Sequence, residues 1–497
     1  MSNRFRPIFR RLFFEQDGQI LPWMVAMSVA FLGMAGLTLD LGHAYVSYRE
    51  LQASTDAAAL AGAYAMDLST ATSDSVTAAV SAASSAAGGK NVNPNLPSAN
   101  VTVNTTLKCL NSVTAMGIFC SDSPTANNAL QVVQTAQIPT FFIRALAFFG
   151  VNSASTINLT TTSTAAMRGA TNTQYNVAIV IDTTASMGSS DTDASCNNTR
   201  IYCALQGVQT LLKSLSPCTA ASASSTCVAF DTVSLFTFPN VQANQVSKDT
   251  SCPTSNPTIP NYYTPVRGAT WSAPSGTSAT YQITSYLSNY SSTNLAGGSL
   301  NTSSALTIAS GGSGVSKCSG LQTPGGDGTY YAGAIYAAQS SLMAAQAANS
   351  GSSNALIILS DGDAQSSKIT VSGTVQTAGT GTPALTVSYP STTNQCQQAI
   401  DAAKFATSQG TTVYTVAYGA SSSGCSTDTS GPLKGLSPCT ALQQMASTSA
   451  DFYSDATASQ NKGQCTSSAN PNLTLNQIFQ DVATSFTVAR LIPNGST

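Results

Sequence analysis

A chain of 497 residues is too long for one ordinary domain and predicts roughly three. Its hydrophobic fraction of 42% suffices for real cores, but only 8% of residues are charged, well below the ~25% of typical soluble proteins. A net charge of −2 leaves no basic face for nucleic acid and no field for long-range steering.

The chain opens with a basic tail, residues 1–17, carrying Arg4, Arg6, Arg10 and Arg11. Residues Gly18 to Leu39 then run without a charge, matching the ~20 residues needed to cross a ~30 Å hydrocarbon layer. The arginines ahead of the span place the N-terminus in the cytoplasm and everything after Asp40 outside. The run is longer than the 7–15-residue core of a cleaved secretory signal, so a retained single-pass anchor is expected. Prepilin-type cleavage after Gly18 is disfavoured by Trp23, which stands where such signals carry Glu. The Ala- and Leu-rich segment up to Asp67 has no Gly/Pro cluster and predicts that the helix continues beyond the bilayer.

The segment DLGHAYVSYRELQASTDAAALAGA, Asp40 to Ala63, resembles the N-terminal region of TadG-like proteins of the Flp (tight-adherence) pilus-assembly system. The shared pattern is an apolar span, Asp-Leu-Gly, an aromatic, Leu-Gln and Asp-Ala-Ala-Ala-Leu-Ala. Without that resemblance, the same residues read as an Ala-rich helix with Asp40 and Asp56 solvated.

Residues 67–172 alternate polar stretches with β-like runs: NVTVNTTL ending at Leu107, ALQVVQTAQI ending at Ile138, and STINLTTTSTAAM. PTFFIRALAFFG, 139–150, is too short to span a membrane and reads as a buried or interfacial helix. A small membrane-proximal α+β domain is expected.

Residues 173–490 change pattern. Apolar strands end at Asp182, Phe238, Ser360 and Tyr418, and helical runs begin at Cys203, Thr329, Asn394 and Thr474. Such alternation predicts a doubly wound, mostly parallel α/β sheet, with ligands at the carboxyl ends of its strands. Insertions are expected near 239–327 and 364–393, the second as a β-hairpin built from KITVSGTVQT and ALTVSY.

Asp182, Thr184 and Ser186 follow the first of these strands, Asp361 follows the third, and Thr329 opens the helix between. Five oxygen-bearing side chains on one face suit a hard cation, Mg2+ with Mn2+ or Ca2+ as variants. The arrangement resembles the von Willebrand factor type A domain and its metal-ion-dependent adhesion site (MIDAS): Asp-x-Ser-x-Ser, a Thr, then an Asp. Here Thr184 replaces the first Ser and keeps the hydroxyl. The resemblance implies that a protein partner's carboxylate completes the metal shell.

Enzymatic readings lack parts. His43, the single histidine, sits at the membrane edge, which leaves no Ser-His-Asp triad and no His-ligated zinc. No phosphate-binding glycine loop occurs, and Ser313 and Ser421 have no base beside them. Twelve cysteines, none before Cys109 and none in a C-x-x-C pair, predict disulfides in an oxidising compartment, with Cys109–Cys120 and Cys218–Cys227 as local loops.

The expected protein is a non-enzymatic bacterial envelope protein of Flp/Tad-type pilus assembly or surface adhesion. It would bind a protein ligand or pilus-assembly component through the metal site and hold the membrane through one helix. A free-standing adhesin and a structural pseudopilin-like subunit with a vestigial metal site are the competing readings.

Overall fold

A strand with no polar interruption persists only where both faces are covered, and helices cover both faces of the C-terminal sheet. The computed structural model describes residues 20–66, 73–84, 96, 101–110, 127–142, 156–166, 174–192, 196–218, 228–250, 256–294, 298–314, 320–325, 328–371, 374–421, 424–431, 434–455, 465–486 and 490–492. The chain is mixed α/β, with one long apolar helix at its N-terminal end.

That helix, α1 (Ile20–Met66), has 47 residues and at 1.5 Å per residue is about 70 Å long. This is more than twice the ~30 Å of a hydrocarbon layer. Its two halves behave differently. In the first, apolar side chains are exposed, from 49% at Leu37 to 73% at Ile20. In the second, Ser47, Leu51, Ser54, Thr55, Ala58, Gly62 and Ala65 are buried, a stripe at three- and four-residue spacing that marks one packed face.

The stripe lies on an antiparallel sheet of β1 (Val101–Lys108), β2 (Ala129–Pro139) and β3 (Thr156–Ala166), with β2 in the middle. Thr55 and Thr161 share a 2.6 Å hydroxyl–hydroxyl hydrogen bond, and the Ser163 hydroxyl donates to Asp56. Helix α2 (Ser73–Ser84) completes this unit. A Cβ at Gly62 would come within 2.5 Å of Val80 in α2 and 2.7 Å of Leu130 in β2, so only glycine allows the three elements to meet there. Asp40 is buried rather than solvated. The expected short helix at 139–150 lies outside the described residues beyond Phe142.

The second sheet contains β4 (Tyr175–Asp182), β5 (Thr232–Gln242), β6 (Ala279–Gln282), β7 (Ser353–Ser360), β8 (Thr411–Ala417) and β9 (Phe452–Ser454), in the order β9-β8-β7-β4-β5-β6. All neighbours are parallel except β6, an antiparallel edge strand. Side chains alternate along each strand. Val177, Ile179 and Ile181 pack with α3 (Arg200–Ser214) and α7 (Leu475–Ser485). Ala178 and Val180 pack with α4 (Tyr331–Ala348), α5 (Gln395–Ser408) and α6 (Pro438–Met445). A last strand, β10 (Arg490–Ile492), returns to pair with β3 in the first sheet.

Three sequence expectations need correction. Helix α3 starts at Arg200, not Cys203, and α4 starts at Tyr331, two residues after Thr329. The first insertion supplies β6, which extends the sheet. In the second, among the described residues, the hairpin is reduced to one antiparallel bridge, Gln376–Tyr389. The reason is competition for backbone: Tyr262 donates to Lys368 and accepts from Thr370, at 2.9 and 3.0 Å. The two insertions therefore bond to each other rather than each folding alone.

Candidate metal centre

Asp182 ends β4, and Asp361 is the first residue after β7. The two strands are neighbours where the sheet's connections diverge, β4–β5 on one side and β7–β8–β9 on the other. Such a divergence opens a crevice at the strands' carboxyl ends. Both acids are buried, at 0% and 6% exposure, and are thus close together and largely dry.

The intervening polar groups are arranged around them. Thr184 donates twice to Asp182 Oδ1, from its backbone N–H at 2.9 Å and its hydroxyl at 2.6 Å. A single helical turn, Ala185–Gly188, then lifts Ser186, whose hydroxyl donates to Asp361 Oδ1 at 2.8 Å. The hydroxyl oxygens of Thr184 and Ser186 stand 3.1 Å apart. That is hydrogen-bond distance, so either hydroxyl can also donate to the other. From β7, the Ser360 hydroxyl donates to Asp182 Oδ2 at 2.5 Å. Tyr331 supports Ser360 from below, donating to its hydroxyl oxygen at 3.0 Å.

Of the five expected side chains, hydrogen bonds join Asp182, Thr184, Ser186 and Asp361. Thr329 is buried on the adjoining loop. Its carbonyl accepts from Gln365 at 2.9 Å, and it pairs with Ala364, but no hydrogen bond links its hydroxyl to the other four. Gly328 sets this close approach: its φ is +71°, and a Cβ there would lie 2.1 Å from the Gln365 carbonyl oxygen.

Burial pushes the Asp182 carboxyl up to about 7, and the negative charge of Asp361 adds to the rise. Hydrogen bonds from Ser360 and Thr184 only partly offset it. Burial and the neighbouring charge thus disfavour ionisation of Asp182 unless further positive charge is supplied. All the site's ligand atoms are oxygens, from two carboxylates and the hydroxyls of Thr184 and Ser186 beside them. That donor chemistry fits a hard divalent cation.

One further residue was not anticipated from sequence. Arg200, the first residue of α3, forms an ion pair with Asp361 Oδ2, on the carboxylate oxygen away from Ser186. Its position is fixed on both sides. The Cys196–Cys203 disulfide encloses it, and its backbone N–H donates to Ser189 at 3.0 Å. Its Nε is buried with no hydrogen-bond partner. The available signal was an arginine between two close cysteines in a chain where charge is scarce.

A second cluster, Asp363 with Cys396 and Cys425, holds no free thiolates, because the two sulfurs form a disulfide with Cα atoms 6.0 Å apart. Cys439–Cys465 is likewise bonded, and no described cysteine is free. Cys109 and Cys218 are both disulfide-bonded. Cys120 and Cys227, their expected partners, lie outside the described residues.

No curated protein matches the chain. Among solved structures, two crystal structures of the pilus adhesin SpaC from Lactobacillus rhamnosus GG, one of them in an open conformation, align with 81% of this chain at 13% and 12% identity. Their TM-scores are 0.35 and 0.34, and the chain spans only 36% and 35% of theirs, so the likeness carries no argument about fold or partner. Residues 18–88, covering α1 and α2, match the Tad family, described as "Putative Flp pilus-assembly TadE/G-like".

Proposed function

We propose that this is a non-enzymatic envelope protein of Flp-type pilus assembly or surface attachment, whose parallel-sheet domain is a von Willebrand A domain. In this reading Asp182, Thr184, Ser186, Thr329 and Asp361 hold a divalent cation, Mg2+ by preference, directly or through water. The cation supplies a Lewis-acidic position that a partner protein's Asp or Glu completes. The four N-terminal arginines support an orientation with the basic tail in the cytoplasm and both folded parts outside. Disulfides on both sides of the second sheet fit that compartment. The anchor's match to a pilus-assembly family supports the pilus setting.

The observation carrying the metal reading is the pairing of Asp182 and Asp361 at adjacent strand ends, bridged by the hydroxyls of Thr184 and Ser186. The test is calorimetric titration of the full chain in detergent micelles with Mg2+ and Mn2+, beside Asp182→Ala and Thr184→Ser. Wild type and Thr184→Ser should bind, because the hydroxyl remains, and Asp182→Ala should not. Equal behaviour of wild type and Asp182→Ala would reject the site.

One observation favours a second reading, a structural pilus-associated subunit with a vestigial site: Arg200 already supplies Asp361 with positive charge. Deleting the protein and imaging pili separates the roles. Pili that persist while attachment is lost indicate an adhesin; pili that disappear indicate an assembly subunit.

A further inference from the structure

We propose that Phe141 and Phe142 form a second lipid contact, seated in the bilayer beside α1 and oriented by Asp40. The two phenylalanines are 60% and 46% exposed, two adjacent large apolar side chains left open beside the exposed apolar half of α1. Their location says what covers them. A Cβ at Gly36 would lie 2.7 Å from Phe142 Cβ, so Phe142 occupies the groove that this glycine leaves on α1. Gly36 lies within the uncharged run 18–39. One helical turn is 5.4 Å, so Phe142 sits about one turn inside the end of that run. Leu37, Leu39 and Leu41, around the same level of α1, are themselves 49–58% exposed. The phenylalanines are therefore continuous with the surface that faces acyl chains.

Backbone amides at such a level need internal acceptors, because lipid offers none. Asp40 meets this requirement. Its Oδ1 accepts from Phe141 N–H at 2.7 Å, and its two oxygens accept from Phe142 N–H at 3.2 and 3.0 Å. The His43 ring meets the Phe141 ring edge-on, with centroids 5.1 Å apart. A buried carboxylate at the end of a membrane run, turned onto the amides of a segment a hundred residues away, serves to fix where that segment enters. Phenylalanine, wholly apolar, is among the side chains whose transfer into the hydrocarbon layer is favourable.

The inference rests on the reading of α1 as a membrane span and is independent of the metal site and of any role in pili. It is tested on the full chain reconstituted into phosphatidylcholine–phosphatidylglycerol vesicles, in a Trp23→Phe, Trp271→Phe background, with Phe141→Trp and Phe142→Trp read separately. Each variant's fold is first checked by far-ultraviolet circular dichroism. In lipid brominated near the glycerol end of its chains, either tryptophan should lose most of its emission and resist quenching by aqueous iodide. Asp40→Asn should then weaken bromolipid quenching at position 141. Quenching by iodide but not by bromolipid would place the pair in water and overturn the proposal. Shielding from both quenchers would place the pair against protein, including a second copy, and overturn it equally. Because Phe142 is the residue that fills the Gly36 groove, Phe141→Trp keeps the test open should Phe142→Trp misfold.

Discussion

Ser186 and Asp361 stand 175 residues apart in the chain and share a 2.8 Å hydrogen bond, which ties the loop after β4 to the loop after β7. Asp361 thus has one oxygen turned towards Ser186 and the other towards Arg200. A cation entering between the two acids meets a carboxylate already half neutralised, and the guanidinium must share it or yield.

Arg200→Gln should therefore bind Mg2+ more tightly than wild type, on the order of tenfold, since coupling between close buried charges starts at about 1.5 kcal/mol. Without metal the same variant should be less stable by about 3 kcal/mol, because it leaves Asp361 buried and unpaired. Arg200→Lys, which keeps the charge, should lie between. The check is thermal unfolding of the three proteins with and without Mg2+. An equal Mg2+-induced rise for all three would show that guanidinium and metal do not compete.

The parallel sheet was legible because its signal is local: VAIVI and ALIIL read as strands buried on both faces, and the helical runs between them demand crossovers. Asp182 and Asp361 were legible for the same reason, as the first acids after such strands. Arg200 was not, because its role depends on where the Cys196–Cys203 loop turns, which spacing alone does not set. Ser360 was hidden as the last letter of a strand, although its hydroxyl faces Asp182. The shortened hairpin, which keeps the Gln376–Tyr389 pair and the Gly379–Leu385 bond, shows the limit of local pattern. KITVSGTVQT has the composition of a strand, but Tyr262, more than a hundred residues away, takes its backbone hydrogen bonds. Asp40 was visible as part of a repeated pattern, but its burial depends on Phe141 and Phe142, which no periodicity connects to it.

The Cys396–Cys425 bridge should contribute measurably to stability. It ties the start of α5 to the loop after β8 across a sequence separation of 29, and loop-closure entropy for that length is about 3–4 kcal/mol. Asp428 holds the same helix end, accepting from the Cys396 and Gln397 amides at 3.1 and 3.0 Å. The double variant Cys396→Ser, Cys425→Ser should therefore lower the stability of the second sheet by roughly 3 kcal/mol while Asp428 keeps the helix start in place. Denaturant unfolding without reductant measures this, and an unchanged midpoint would show that Asp428 and packing suffice. In parallel, alkylating the denatured, unreduced wild type should label few of the twelve cysteines.

Asp249 sets a separate pH dependence. It is 1% exposed, and burial pushes its carboxyl up to about 7, with only the Gln322 amide, at 3.3 Å, pulling the other way. In the unfolded chain its carboxyl titrates near the ordinary 3.8. Between these values the folded protein holds a proton that the unfolded chain has released, so protonation favours the fold. This contribution is fully present below about pH 4 and is lost as pH rises through 7, where an unpaired carboxylate remains buried. Asp249→Asn keeps the shape without the charge and should not share that loss. The stability difference between variant and wild type should therefore open in the variant's favour from about pH 4 and level off above about pH 7. Its ceiling is about 4 kcal/mol, taking 1.36 kcal/mol per pH unit over the gap. Urea unfolding of both proteins from pH 4 to 9 reads it directly. A difference that stays flat across this range would mean that Asp249 is ionised and solvated in the folded state, against its burial.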